Sequence, residues 1–381
     1  MAKTIDVVQL RERRKRRKRL FQLLILLAVV LLGALIYTSR EKWFSKFQQI
    51  SSSHSNLKAE TDGEYMLTVS GGVDYHAEFV SHDLFVLCDK YIYIYDMNGE
   101  LLDSRQHAYS NAIMKTNASR ALTYSHNGTN FRVDQTKKMF YEETLEQPIW
   151  FAVLSEDGRV AVVTESETYA CCLYVYDTNG KCIYTRNCLE RLIDVSFQED
   201  GCICATIGAE NGEIVTVLKY IQFQDSDVKW TSDALPALCW RVHSLKDGGA
   251  FVIGDTETAY YSNTGNLLNT CLYSGTLIDC DFSNDKAAVL LKNESRRQSV
   301  LLLFSGNSEN PVSVSFDSIC KNVKIQDDTV YLLDAGVIKS YSFTGTELSS
   351  LEIKDAYDKI LKNGKYFYLL GYDRIQRVNA G

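Results

Sequence analysis

The stretch Tyr95-Asp96-Met97-Asn98-Gly99 returns almost unchanged as Tyr176-Asp177-Thr178-Asn179-Gly180, and weaker copies, YSNTG and YSFTG, end at Gly265 and Gly345. The four glycines stand 81, 85 and 80 residues apart. A repeat of this kind constrains the fold strongly, because each unit must bury its apolar face against the next. The phrase itself has the chemistry of a tight turn. The Asp side chain bonds the backbone two residues on, and Asn and Gly tolerate positive φ. The preceding residues, YIYIY (91–95) and CLYVY (172–176), are aromatic and β-branched, as strands require.

A period of about 80 divides into two units of about 40, the size of one propeller blade. Further turns are expected halfway, at Gln135 to Lys137, Gln224 to Asp227 and Gly306 to Glu309. The stretch from Ile149 to Cys188 reads as strand, Glu-Asp-Gly turn, strand, loop, strand, Asp-Thr-Asn-Gly turn, strand. That order predicts a four-stranded antiparallel blade, and the next unit repeats it with its own Glu-Asp-Gly turn at 199–201.

The chain ends on RVNAG, in the place that YSFTG holds one unit earlier, so the last unit lacks an outer strand. EYMLTVSG (64–71) is a spare strand at the front that can supply it and close the ring. Closure removes an exposed sheet edge. The fold class predicted is therefore all-β, a propeller of eight blades with seven as the alternative. A β-solenoid or a pair of β-sandwiches are the competing architectures. Only three prolines, Pro148, Pro236 and Pro311, interrupt the chain, which suits many short paired strands.

The N-terminal segment is of another kind. Arg13, Arg14, Lys15, Arg16, Arg17, Lys18 and Arg19 run directly into LFQLLILLAVVLLGALIY (20–37), which holds no charge. Eighteen helical residues reach roughly 27 Å, close to the hydrocarbon thickness of a bilayer. The positive-inside rule makes the seven cations determinants of topology, with the N-terminus cytoplasmic and the rest beyond the membrane. The expected division is a basic arm (1–19), a transmembrane signal-anchor (20–37), a juxtamembrane helix and flexible tether (38–63) and an extracytoplasmic propeller (64–381). Net charge is −7 over 381 residues. Residues 1–46 carry +9 of it, which leaves −16 for the remainder. An acidic propeller argues against a nucleic-acid partner, since phosphate neutralisation needs clustered Lys and Arg.

All eleven cysteines fall in the propeller region, without a CxxC pair, and read as buried free thiols. None of the six histidines forms a metal-binding pattern. No phosphate-cradling loop, nucleophile elbow or calcium loop is present, so neither a metal nor a cofactor is expected. GAENGE (208–213) looks like an acidic loop between two strands. The richest polar stretch is 106–133, which gathers His107, Tyr109, Ser110, Asn111, Arg120 and His126 near one blade junction. Two readings stand: a hydrogen-bond set that locks blades together, since buried polar groups need partners, or a binding site on loops.

The order of basic run, single span, short tether, QHAYSN (106–111), ESETYACCLYVYDTNGK (165–181) and GAENGE resembles an uncharacterised family of membrane-anchored β-propellers from Gram-positive, mostly anaerobic bacteria. The resemblance covers nearly the whole chain and implies a cell-membrane location with an external propeller. It implies no activity, cofactor or catalytic residue, and it makes the sequons at Asn117, Asn127 and Asn293 incidental. The function expected is a scaffold that binds a protein or cell-envelope partner. A propeller enzyme, quinone-dependent or glycan-active, and an envelope sensor are the alternatives.

Overall fold

A computed structural model describes residues 65–69, 74–224, 227–306 and 310–379. All of the described residues fall within one compact unit, 58–381. The basic arm, the anchor and the juxtamembrane helix and tether expected from the sequence all lie outside the described residues. No helix among the described residues is long and apolar enough to cross a membrane.

The described residues form 32 strands, β1 to β32. These pair into eight four-stranded antiparallel sheets. In seven sheets the strands follow chain order. The eighth runs β1-β32-β31-β30, so β1 (Met66–Thr68) forms the rim of the last blade. There Met66 pairs with Gln376, Leu67 with Ile375 and Thr68 with Arg374. Val69 N–H continues the ladder to the Asp373 carbonyl at 2.7 Å. This is the closure expected from the spare front strand, and eight is the blade number.

Burial explains why the repeat is legible. The second strands, and the third strands of most blades, are largely buried on both faces. β7 (Ala121–Ser125), β11 (Val160–Thr164), β19 (Ala250–Gly254) and β20 (Glu257–Tyr261) are buried throughout. On β15 (Gly201–Glu210), Cys202 and Cys204 pack toward the preceding blade, while Ile203 and Ala205 pack toward the next. Rim strands face solvent on one side and alternate instead, as in β21 (Leu267–Leu272). The last and first blades meet through Phe79 and Tyr368, whose rings lie 4.7 Å apart. All eleven cysteines are free thiols; seven are buried and only Cys182 is exposed.

The recurring phrase proves to be the turn from third to rim strand in blades 1, 3, 5 and 7. In blade 3 the Asp177 carboxylate accepts the N–H groups of Asn179 at 2.8 Å and Lys181 at 2.9 Å. Gly180 has φ 87°, and a Cβ there would fall 2.7 Å from the Tyr141 ring on the rim of blade 2. Gly99, Gly265 and Gly345 repeat this, each pressed against the rim of the preceding blade at Tyr65, Trp230 and Val312. Positive φ and close approach together demand glycine. The even blades turn differently; β8 (Asn130–Gln135) meets β9 (Lys138–Thr144) across Thr136 and Lys137 alone. The 80-residue interval is thus two blades.

Candidate binding surfaces: the loop face and the central channel

The antiparallel order sends the chain in and out of two faces. Turns from first to second and third to rim strand open on one face. Turns from second to third strand, and the connections between blades, open on the other, here termed the loop face. The sequence-predicted set divides between them. His107, Tyr109, Ser110, Asn111 and His126 lie on the loop face. Arg120 lies on the opposite face, in the turn after β6 (Ala112–Thr116).

Each member of the set makes hydrogen bonds within the ring. His107 is buried, and its Nε2–H donates to the Cys88 carbonyl at 2.8 Å, leaving Nδ1 to accept the Tyr109 N–H at 3.4 Å. Burial lowers its pKa, so it stays neutral. The Tyr109 hydroxyl donates to Glu142 at 2.5 Å, and burial together with that carboxylate raises its pKa. The Ser110 carbonyl accepts the Ser125 hydroxyl at 2.7 Å. Asn111 has φ 51°, and its carbonyl accepts the His126 N–H at 3.1 Å. His126 Nδ1–H donates to the Trp150 carbonyl at 2.7 Å, joining blade 2 to blade 3. Arg120 donates to the Thr178 carbonyl at 2.5 Å and covers the Phe140 ring at 4.6 Å.

Beneath these loops lies Asp134, fully buried on β8. Arg132 binds both its oxygens at 2.6 Å, and Arg105 from the rim of blade 1 reaches it at 3.0 Å. Arg132 also donates to the carbonyl of Gln106, the residue that leads into His107.

The loop face carries the most exposed apolar side chains. Leu189, Leu272 and Tyr372 are 80%, 76% and 71% exposed, all in or beside its connections. Tyr169, Ile319, Ile214 and Trp240 are exposed on the same face. Ile214 stands on a projecting ribbon. β15 and β16 (Glu213–Gln222) are ten residues each. Beyond the Arg191–Ile207 pair they continue alone through Gly208–Val215, Ala209–Ile214 and Glu210–Glu213. GAENGE is therefore the tip of a hairpin, turned by Asn211 and Gly212 at φ 52° and 87°.

The first strands of the eight blades surround a cavity of about 1090 Å³. Neighbouring first strands do not pair as a sheet; side chains lace them instead. Asp194 on β14 (Arg191–Gln198) accepts the Val242 N–H of β18 (Cys239–Ser244) at 2.8 Å. Asp279 and Asp281 on β22 (Thr276–Ser283) accept the Val323 and Ile325 N–H groups of β26 (Asn322–Gln326) at 2.9 and 2.7 Å. Asn322 passes the pattern on to Ile360 of β30 (Lys359–Asn363) at 2.9 Å. The ring closes where Lys359 meets Glu78 of β2 (His76–Val80) at 3.1 Å.

A bulge aims several of these groups. Register shifts fall between Leu192 and Asp194, Cys239 and Arg241, and Leu277 and Asp279. An extra residue there turns the following side chain into the channel. Burial raises the pKa of Asp194 and of Asp281. Burial works against charge on Lys324 too, but Asp281, Glu78 and Asp279 outweigh it and raise its pKa. His76 is held down to about 4 by burial and by Lys359.

Sequence reasoning missed this channel, although a signal exists. Leu192-Ile193-Asp194 with Phe197 recurs as Leu277-Ile278-Asp279 with Phe282, again two blades apart.

Comparison with solved structures fits the architecture. BamB from Moraxella catarrhalis superposes with TM-score 0.53 at 12% identity, covering 84% of this chain and 97% of that one. Hsv2 from Kluyveromyces marxianus superposes with TM-score 0.50 at 12% identity, covering 75% of this chain and 100% of that one. Identities this low establish a shared propeller fold alone. No curated protein matches the sequence. The profile of DUF5711, a family of unknown function, matches residues 54–379, and the chain belongs to that family.

Proposed function

We propose that this protein is a membrane-anchored scaffold whose propeller, on the extracytoplasmic side, docks a protein partner of the cell envelope on its loop face. The observation that carries the reading is that Leu189, Leu272 and Tyr372, each more than two-thirds exposed, all lie on this one face, at connections of blades 3, 5 and 8. Large apolar side chains gathered on one face of a soluble fold mark interaction surfaces. Aromatic anchors of the kind offered by Tyr169, Trp240 and Tyr372 are enriched at such interfaces. The laced ring beneath them is a rigid support, so docking there loses little conformational entropy. The basic run Arg13–Arg19 against the apolar stretch 20–37 supports the anchor and its orientation.

The test is a mild-detergent pull-down from membranes with three baits. These are the full chain, the full chain carrying Leu189→Ser, Leu272→Ser and Tyr372→Ser, and residues 1–60 alone. A partner held by the first and lost by the other two supports the reading. A partner held equally by the substituted chain overturns the assignment to this face. The three side chains are exposed, so the substituted propeller should fold as the parent does.

A further inference from the structure

Cys171 opens β12 (Cys171–Tyr176) and Cys188 closes β13 (Cys182–Cys188), the third and rim strands of blade 3. The register sets them directly opposite each other. Among the described residues they are the only two cysteines so paired. Antiparallel partners hold their Cα atoms about 4.5–5.5 Å apart, and disulfides form at Cα separations of about 4.4–6.8 Å. The backbone therefore already keeps this pair at bridging distance. Both side chains point the same way, into the core that blades 3 and 4 share. The Ala170 N–H donates to the Cys188 carbonyl at 3.0 Å and pins the end of the ladder.

The neighbouring cysteines lack this arrangement. Cys172 is opposite Asn187 and points to the other face of the sheet. Cys182 is opposite Tyr176. The sulfurs of Cys202 and Cys204 lie 3.6 Å apart, but these residues are second neighbours along one strand. Their Cα atoms are then about 6.6 Å apart, at the far limit for a bridge. The two thiols of the opposed pair also differ chemically. The Cys171 sulfur accepts the Leu192 N–H at 3.5 Å. A hydrogen bond from Cys188 lowers the Cys171 pKa against the effect of burial, and the Leu192 N–H and Arg191 lower it further. The same bond, together with burial, raises that of Cys188. Cys171 is thus the better thiolate, and the thiolate is the form that attacks a disulfide.

We propose that Cys171 and Cys188 are a dithiol that a small disulfide donor oxidises to a cross-strand bridge, stapling the third strand of blade 3 to its rim strand at the loop face. The Cys171 thiolate attacks the donor, forms a mixed disulfide and expels one donor thiolate. Cys188 gives its proton to solvent, attacks the Cys171 sulfur and expels the second. Two protein thiols are oxidised, and one donor disulfide is reduced to two thiols. Both cysteines are buried, so the donor reaches them when the strand ends open. The pair is placed for that, at the last rung before the exposed Leu189 and the loop that carries exposed Tyr169. Disulfides persist in oxidising surroundings, which suits a propeller beyond the membrane. The chemistry is read on the isolated chain and does not depend on the docking reading.

The experiment equilibrates the detergent-solubilised full chain with oxidised glutathione, in a Cys182→Ser background that removes the one exposed thiol. Remaining thiols are alkylated under denaturing conditions, and the bridged peptides are mapped by mass spectrometry. A single bridge between Cys171 and Cys188 is expected, opened again by dithiothreitol. It closes a loop of the length for which a bridge restrains the unfolded chain well, so oxidation should raise the urea midpoint by roughly 1 M. Cys171→Ala and Cys188→Ala should each abolish both the bridge and the rise. Each variant is compared with itself, oxidised against reduced, so any loss of stability from the substitution cancels. Cys204→Ala should keep the bridge and the rise. Cys171 and Cys188 both recovered as free thiols, a bridge that includes Cys202 or Cys204, or a midpoint that does not rise on oxidation overturns the proposal.

Discussion

Replacing Asp134 by Asn should destabilise the propeller by about 3 kcal/mol. Asp134 is fully buried and takes two bonds from Arg132 at 2.6 Å and one from Arg105 at 3.0 Å. An amide oxygen can keep the bonds made to one carboxylate oxygen. The amide nitrogen then faces the Arg132 Nε–H, so a charged bond worth about 1.5–3 kcal/mol is lost and a buried donor is stranded. Breaking a buried ion pair from one side costs about 3–5 kcal/mol. The lower end applies here, because Arg105 keeps the Gln135 and Thr136 carbonyls and Asp103, and Arg132 keeps the Gln106 carbonyl. With a urea m-value of about 3 kcal/mol/M for a domain of this size, the midpoint should fall by about 1 M. Asp157→Asn is the control. Its carboxylate, 54% exposed beside Arg159, should change stability by about 0.5 kcal/mol or less. A midpoint shift of less than about 0.2 M for Asp134→Asn would refute the view that this network ties blade 1 to blade 2.

Gly180→Ala should cost about 2–4 kcal/mol, combining left-handed backbone strain with the clash against Tyr141. Gly212→Ala has the same φ of 87° and nothing within 4 Å, so it should cost only about 1–2 kcal/mol; equal losses in urea unfolding would show that rim packing is unimportant. His76 has a folded pKa lowered from 6.5 to about 4, so as pH falls the unfolded chain takes its proton first. Its contribution is intact above 6.5 and is lost between there and about 4. His76→Gln should therefore flatten that part of the stability–pH curve, and an unchanged curve would contradict the assignment. Cys182 is the only exposed cysteine. Brief maleimide labelling of the native chain should mark Cys182 first, and peptide mapping that finds Cys202 or Cys204 labelled as fast would show that the blade 3–4 core opens.

The parts of the fold that were legible in the sequence are those set by local chemistry. The Asp-Thr-Asn-Gly turn, the apolar middle strands and the unpaired front strand each state their requirement within a few residues. The candidate site was less legible, because residues near in sequence part company in space. Asn111 and Arg120 are nine positions apart. The five-residue β6 lies between them and carries the chain about 17 Å from one face to the other. The channel was hidden for the opposite reason. Asp194, Arg241 and Lys324 stand on the first strands of three different blades, and only the closed ring brings them together. The Arg105–Asp134 contact likewise joins residues 29 apart on different blades.

The central claim is that the loop face is the docking surface. It is tested most directly by site-specific photo-cross-linking in intact cells. A photoreactive side chain is placed at Leu272 on the loop face or at Met139, an exposed position at the rim on the opposite side. The account predicts a discrete cross-linked adduct from position 272 and none from position 139. An adduct from 139 alone, or none from either position with the protein present at its normal level, would contradict it.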